Sequence, residues 1–314
     1  MILKSIIYRI LSLVIATVMV SLSGFTTGET YTVKDPDTVK TNFTVLSDSH
    51  VETNNLQRYK VFSSVLQNVN RNENGNDAVV FLGDNTMNGQ ILENLIFHGS
   101  ISLFMNEQKV LPVIGNHDIG NGEGNDKLLQ KRWYSFTNAF FGYSLNVPYY
   151  YEVINGCYFI VIGSEGEVAQ DLFMTEEQFT WLENVLALAS ESGKPVFMFC
   201  HYPARLRTPR LTNMLAEYSK TNDLFYFAGH SHTQLRLWSF DDDFGYHLIL
   251  LPCLTDPDAT TPEEISAITG IGVEVELYEN ELVVRGRNFY TEEWLYDGDV
   301  PCEMTYQLKN PITD

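Results

Sequence analysis

Asp48, His50, Asp84, Asn116, His117, His201, His230 and His232 all sit in short turns that follow directly on apolar runs. Phe43-Thr44-Val45-Leu46 leads into Ser47-Asp48-Ser49-His50, and residues 78–82 lead into Gly83-Asp84-Asn85. Residues 110–114 precede Gly115-Asn116-His117-Asp118, residues 196–200 precede His201, and residues 224–228 precede Gly229-His230-Ser231-His232. Five of the seven histidines lie in these turns, a sorting that scattered surface histidines would not show. Imidazole nitrogen with carboxylate or amide oxygen is the donor set of Zn, Mn and Fe, and no thiolate is among them. Asp-x-His and His-x-His place two side chains on one side of an extended segment, because alternate residues point alike. The glycines at 83, 115 and 229 let the backbone turn sharply where such side chains crowd together. His98, in mid-helix, and His247, at a strand start, read as structural.

The elements that must position these turns alternate between strand and helix. The run 78–82 is continuously apolar, as in a strand buried on both faces. Leu56, Tyr59, Phe62, Leu66 and Val69 recur at helical spacing, residues 88–108 read as mostly helical, and an aromatic helical stretch surrounds Trp133, Phe136 and Phe140. Thr175 opens another helix, in a capping box with Gln178. Three hairpins are expected: 149–153 with 158–162 across Asn155-Gly156, 235–240 with 247–251 across Asp241-Asp242-Asp243, and 271–278 with 281–287. The alternation is an α/β signature, and the late antiparallel hairpins imply a second sheet. Residues 255–268 read as an internal loop. Residues 120–135 read either as a lid or as a plain surface loop with one packed helix.

Lys4 and Arg9 flank an apolar run from Ile10 to Val20, followed by Ser21, Ser23 and Gly24. That pattern predicts a signal peptide over 1–24, with a retained N-terminal anchor as the rival reading. Residues 25–41 read as a polar linker, and 42–314 as a single domain. The expected location is secreted or extracytoplasmic, with membrane attachment only if the N-terminal segment is retained. Lys and Arg total 20 against 40 Asp and Glu, a formal charge of −20, which argues against a nucleic-acid polymer as partner. The same charge argues against docking on anionic lipid. Cys157, Cys200, Cys253 and Cys302 form no CxxC, and we expect free thiols.

The five blocks, in this order, resemble those of the calcineurin-like metallophosphoesterase family over about residues 43–240. The resemblance implies a four-layer α-β-β-α sandwich with two mixed sheets and a dinuclear metal site at the strand ends. Asp48, His50, Asp84 and His232 would hold one divalent ion, and Asp84, Asn116, His201 and His230 the second. Mn, Fe or Zn would serve. Two adjacent cations lower the pKa of bound water, so the expected activity is phosphoester hydrolysis, as phosphodiesterase or phosphomonoesterase, through a metal-bridging hydroxide. His117 would face the site as proton donor or phosphoryl ligand, with Asp118 accepting from its other ring nitrogen. Asn116, His117, Arg205 and Arg207 would bind substrate. Purple acid phosphatases carry Tyr where this chain has Met87, so an iron(III)–tyrosinate site is not expected. The expected substrate is a small phosphoester, with no protein partner implied. Two alternatives are a membrane-anchored phosphodiesterase acting on lipid or cell-wall phosphoesters, and a non-catalytic metal-binding surface protein.

Overall fold

The computed structural model describes residues 2–105, 107–120, 126–166, 171–204, 208–241, 244–256, 261 and 269–312. The strands are β1 (Thr41–Leu46), β2 (Ala78–Leu82), β3 (Lys109–Val113), β4 (Tyr150–Ile154), β5 (Cys157–Val161), β6 (Val196–Cys200), β7 (Leu224–Ala228), β8 (Phe240–Asp241) and β9 (His247–Leu250). They continue as β10 (Ile271–Leu277), β11 (Glu281–Asn288), β12 (Glu293–Trp294), β13 (Tyr296–Asp297), β14 (Val300–Pro301) and β15 (Glu303–Gln307). The helices are α1 (Ile2–Ser23), α2 (Leu56–Val69), α3 (Ile91–Phe104), α4 (Asp126–Phe141), α5 (Glu176–Ser192) and α6 (Pro209–Tyr218).

Two mixed sheets result. One runs β12-β11-β10-β1-β2-β3, with β15 also on β11; β1, β2 and β3 are parallel and β10 is antiparallel to β1. The other runs β4-β5-β6-β7-β9-β8, parallel through β5, β6, β7 and β9 with antiparallel edges. Phe43 and Val45 of β1 and Val80 and Leu82 of β2 meet Phe159, Phe197, Phe199 and Phe227 of the facing sheet. The Phe43 ring lies 4.9 Å from Phe159 and 4.8 Å from Phe197, both edge-on. Val79 and Phe81 point the other way, onto Phe62 of α2 and Phe97 of α3. Ile160, Met198 and Tyr226 do the same against Leu182 of α5 and Leu211 of α6. The central strands are thus apolar on both faces, and the expected four layers are present.

Local signals explain several element ends. Asn155 (φ 50°) and Gly156 (φ 81°) both take left-handed backbone in the β4–β5 turn, which favours these residue types. Thr175 caps α5 by accepting from Gln178 N. The Gln178 side chain does not complete the expected box; it reaches Gly163 O and Glu165, and Glu165 takes the Thr175 N–H instead. The 235–240 strand shrinks to Phe240–Asp241. Leu237–Ser239 is a 3-10 turn whose first N–H donates to Asp297. Residues 242–243 of that hairpin's tip lie outside the described residues, as does nearly all of 257–268. The four cysteines are free and buried, as expected. His98 is buried in α3, with burial holding its imidazole down at about 3, and His247 stacks on Phe225. α4 packs Trp133 against Ile114 and Ile119, so 126–135 of the expected loop is a packed helix, and 121–125 lie outside the described residues.

The segment 25–41, expected as a linker, is a strap across the first sheet, with Tyr31 and Val33 buried. Tyr31 lies edge-on to Phe289 and Trp294 and donates from its hydroxyl to Glu274 at 2.6 Å. α1 lies along α3, burying Ser12, Ala16 and Val20. The helices approach so closely at Gly99 that a Cβ there would fall 2.8 Å from Ser12. The opposite face of α1 exposes Ile10, Leu11, Leu13, Val14 and Val18. Among the residues with described side chains, which in α1 are 9–21, no helix is long and apolar enough to cross a membrane.

Glu274 is fully enclosed beneath the strap. Burial pushes its carboxyl up to about 7, against the hydrogen bonds from Tyr31 and Thr44, with Glu276 adding to the rise and Arg285 opposing it. Between its ordinary 4.5 and 7 the folded chain binds more proton than the unfolded chain. Stability from this group therefore falls as pH rises through that window, and a penalty of about 3 kcal/mol is complete above it. Glu274→Gln keeps an acceptor for Tyr31 and Thr44 and removes the charge. Its melting temperature, relative to the parent, should rise more at pH 8 than at pH 5; equal shifts at both pH values would contradict this account.

Candidate metal centre

The parallel strands of both sheets deliver their carboxyl ends to one edge, where ligands of α/β sheets gather. β1 ends at Asp48 and His50, β2 at Asp84, β3 at Asn116 and His117, β6 at His201, and β7 at His230 and His232. Backbone bonds register the turns: Asp48 N donates to Gly83 O, His50 N to Asp84 O and Gly229 N to His201 O. The Asp-x-His and His-x-His pairs are not extended, contrary to expectation. Asp48 (φ 54°), His50 (φ 41°), Asp84 (φ 48°), His230 (φ 65°) and His232 (φ 48°) are all left-handed. Such strain in non-glycine residues is costly and concentrates where function over-determines the backbone.

Of the motif glycines 83, 115 and 229, only Gly83 (φ 87°) serves by its backbone angle, and it is also confined: a Cβ there would lie 2.8 Å from the His201 ring. At Gly115 a Cβ would fall 2.2 Å from Asp84 N and Oδ1, and at Gly229 2.0 Å from Ser47 Oγ. These two glycines are required for space rather than for a turn.

Asp48, His50, Asp84 and His232 bring one donor atom each within 4.8 Å of one another, and Asp84, His201 and His230 do likewise. The two groups share Asp84. Asp84 Oδ2 lies 3.2 Å from His201 Nε2 and 3.7 Å from His50 Nε2, and His232 Nε2 lies 3.1 Å from Asp48 Oδ1. Asn116 Oδ1 lies 3.0 Å from both His201 Nε2 and His230 Nδ1, so it joins the second group. A third group, His232, Cys253 and Asp256, shares His232. His50 Nδ1 faces Thr255 O at 3.0 Å, and His201 Nδ1 donates to Leu82 O at 2.8 Å. Those carbonyls hold the Nδ1–H tautomer and aim the Nε2 lone pairs inward, as metal-binding imidazoles require.

Charge follows geometry. Burial pushes the Asp84 carboxyl up, but His201 and His50 outweigh it and hold it well below its usual range. Asp48 is lowered likewise, against burial, by His201 and His232. His201 is pushed up to about 9, because Asp84 and Asp48 overcome the effect of burial. His230 falls to about 4 through burial and its neighbour His201. His50 Nε2 is buried with no hydrogen-bond partner among the described residues. A buried imidazole nitrogen facing a shared carboxylate with nothing to bond is what a cation would satisfy, so the donor set fits two divalent ions.

The family comparison agrees. A model of the calcineurin-like phosphoesterase domain matches residues 41–234. The chain belongs to the calcineurin-like phosphoesterase family. As a member of this family it is a phosphoester hydrolase of the dimetal type. Many solved structures match the chain, and two of them show the likeness in fold. A dimetal phosphatase from Danio rerio is 17% identical, with a TM-score of 0.55, over 86% of this chain and 99% of that one. A purple acid phosphatase from yellow lupin (Lupinus luteus) seeds is 14% identical, with a TM-score of 0.52, over 84% of this chain and 53% of the lupin chain. Comparison with curated proteins found no significant match.

All seven expected ligands of this phosphoesterase converge. His117 is half-buried at their edge, its ring 5.0 Å from that of His50. Its Nδ1 donates to Met87 O at 2.9 Å, which leaves Nε2 as the polar atom of the ring not used in that bond. The expected pairing of His117 with Asp118 is not formed. Asp118 instead accepts from Gly115 N, Asn85 N and Nδ2, and Thr86 N and Oγ1, tying the β2 turn to the β3 turn. Burial, then Asp84, pushes its carboxyl up to about 6 against those donors. Asp118 is therefore a positioning residue. Arg205 and Arg207 lie outside the described residues. Sequence reasoning gave no role to Ser47 and Asn85, which lie within the motif blocks, to Thr86, which adjoins one, or to Thr255, which no motif adjoins. Gly115→Ala should displace Asp84 and lower bound metal after dialysis while far-ultraviolet circular dichroism stays unchanged. Metal content equal to the parent's would contradict the close approach at this glycine.

Proposed function

We propose that Asp48, His50, Asp84 and His232 hold one divalent cation, that Asp84, Asn116, His201 and His230 hold the second, and that the substrate is a small soluble phosphoester. The observation that carries this reading is the buried carboxylate of Asp84, shared by two donor groups that each draw on both sheets. Cations bound there would supply positive charge for phosphoryl oxygens and a water acidic enough to be deprotonated near neutral pH. The chain's own residues do the rest. The Leu82 and Thr255 carbonyls keep His201 and His50 in the ligating tautomer. Met87 O fixes the His117 ring, so a proton on Nε2 makes it an imidazolium that can bind a phosphoryl oxygen or protonate the leaving alkoxide. A chain with a formal charge of −20 repels long polyanions, which favours a small ester that reaches a locally cationic centre.

The full chain, loaded with Mn²⁺, should turn over p-nitrophenyl phosphate or bis-p-nitrophenyl phosphate. Asp84→Ala should abolish that turnover and reduce bound metal. His117→Ala should keep its metal and lose about a hundredfold or more in kcat, the range expected of a general acid. No turnover of either ester by metal-loaded parent protein would refute the reading.

The N-terminal segment is proposed to direct export. A second reading, retention at a membrane with lipid or cell-wall phosphoesters as substrates, is favoured by the five large apolar side chains that α1 exposes. Intact-mass measurement of the protein from its native host distinguishes the two. Loss of about the first 24 residues supports cleavage, and a full-length mass with membrane fractionation supports retention.

A further inference from the structure

A cavity of about 200 Å³ opens directly beside the metal centre, with His232 in its wall. Apart from Thr233 and Gln234, its other walls come from residues beyond 41–234, the part that the family model matches. Leu235 and Leu295 meet over Gly286, where a Cβ would lie 2.8 Å from Leu235 and 3.2 Å from Leu295. Ile271 and Cys253 complete an apolar lining, and the exposed ring of Tyr296 stands at the rim. The β13–β14 hairpin that carries Tyr296 is therefore part of the site.

The polar groups define what the cavity takes. Among the described residues, Arg236 is the only Lys or Arg in its lining, and that guanidinium is committed: it bonds Asp297 at 3.0 Å and Gln234 at 2.9 Å. The described lining thus leaves no unpaired Lys or Arg for a second anionic group. Thr233 Oγ1 is buried with no hydrogen-bond partner among the described residues. The volume is below that of pockets that hold drug-sized ligands, about 300–1,000 Å³, and suits one ring or a short chain.

We propose that this cavity receives the organic group of the phosphoester, and that the preferred substrates carry one compact, uncharged, mainly apolar aryl or alkyl group next to the phosphate. The inference rests on the dimetal reading of the neighbouring centre. It makes Leu295 and Tyr296 specificity-determining residues, and it disfavours esters whose organic part bears a second phosphate.

The test uses non-hydrolysable ligands on the full, Mn²⁺-loaded chain, so affinity is read without turnover. Phenylphosphonate and methylphosphonate share the head group and differ in what would enter the cavity. Phenylphosphonate should bind about tenfold more tightly, a modest return for burying one ring. Leu295→Trp should fill the cavity and bring that ratio to about one. Tyr296→Ala, at an exposed position where folding is not at risk, should narrow it, and inorganic phosphate should bind all three proteins alike. A ratio near one in the parent, or a ratio unchanged in both variants, with phosphate binding intact, would overturn the cavity assignment alone. Failure of the parent to bind phosphate or either phosphonate would overturn the dimetal reading and this proposal with it.

Discussion

One carboxylate, that of Asp84, must lie between two sets of imidazoles while almost wholly shielded from water. A buried ion without compensation is far too costly to survive folding, so Asp84 and its partners must be brought together or not buried at all. His201, 3.2 Å away, and the His117 N–H, which donates to Asp84 Oδ1 at 2.8 Å, supply that compensation in the folded chain. The rest of the architecture can be read as the means to this arrangement. Parallel strands end at a common edge, helices close the outer faces, and a layer of phenylalanines sets the spacing between the two sheets.

The site also demands backbone that no strand or helix provides. Five ligand-bearing residues sit at positive φ, each at a cost of about 1–3 kcal/mol. That cost is tolerated because the flanking strands are buried on both faces and cannot relax. Asp118 adds a knot of hydrogen bonds that fastens the β2 turn to the β3 turn. Glycines 115 and 229 leave no room for a side chain where strand ends nearly touch. Strain, confinement and buried charge thus coincide at one edge of the molecule, as expected when a fold is under load at its functional site.

Much of this was legible in the sequence. The seven candidate ligands stood out because side chains able to bind metal fell directly after apolar runs, and a strand end is where such chemistry is useful. The β4–β5 turn and the α5 cap followed from Asn155-Gly156 and Thr175. What failed did so for definable reasons. Alternation along an extended strand suggested how Asp48 and His50 would align, yet left-handed turns do the aligning, and nothing in a composition pattern reports φ. Asp118 beside His117 looked like a catalytic partner, but adjacency in sequence did not decide which donors its carboxylate would meet. Residues 25–41 read as a linker because they are polar, whereas Tyr31, which fills a gap against Phe289 and Trp294, and the buried Val33 anchor them. The short strands after residue 290 gave no periodic signal because each is too brief to show one.

The division of ligands between the sheets has a mechanical side. Asp48, His50, Asp84 and Asn116 ride on one layer, and His201, His230 and His232 on the other, so each cluster spans the seam. The four thiols are free, and no disulfide crosses between the layers. Anything that balances the charge in these clusters also acts as a rivet through the sandwich, set at the edge where the phenylalanine layer gives way to polar side chains. Slippage of one sheet past the other would open both clusters together, so resistance to shear and readiness for chemistry depend on the same few atoms.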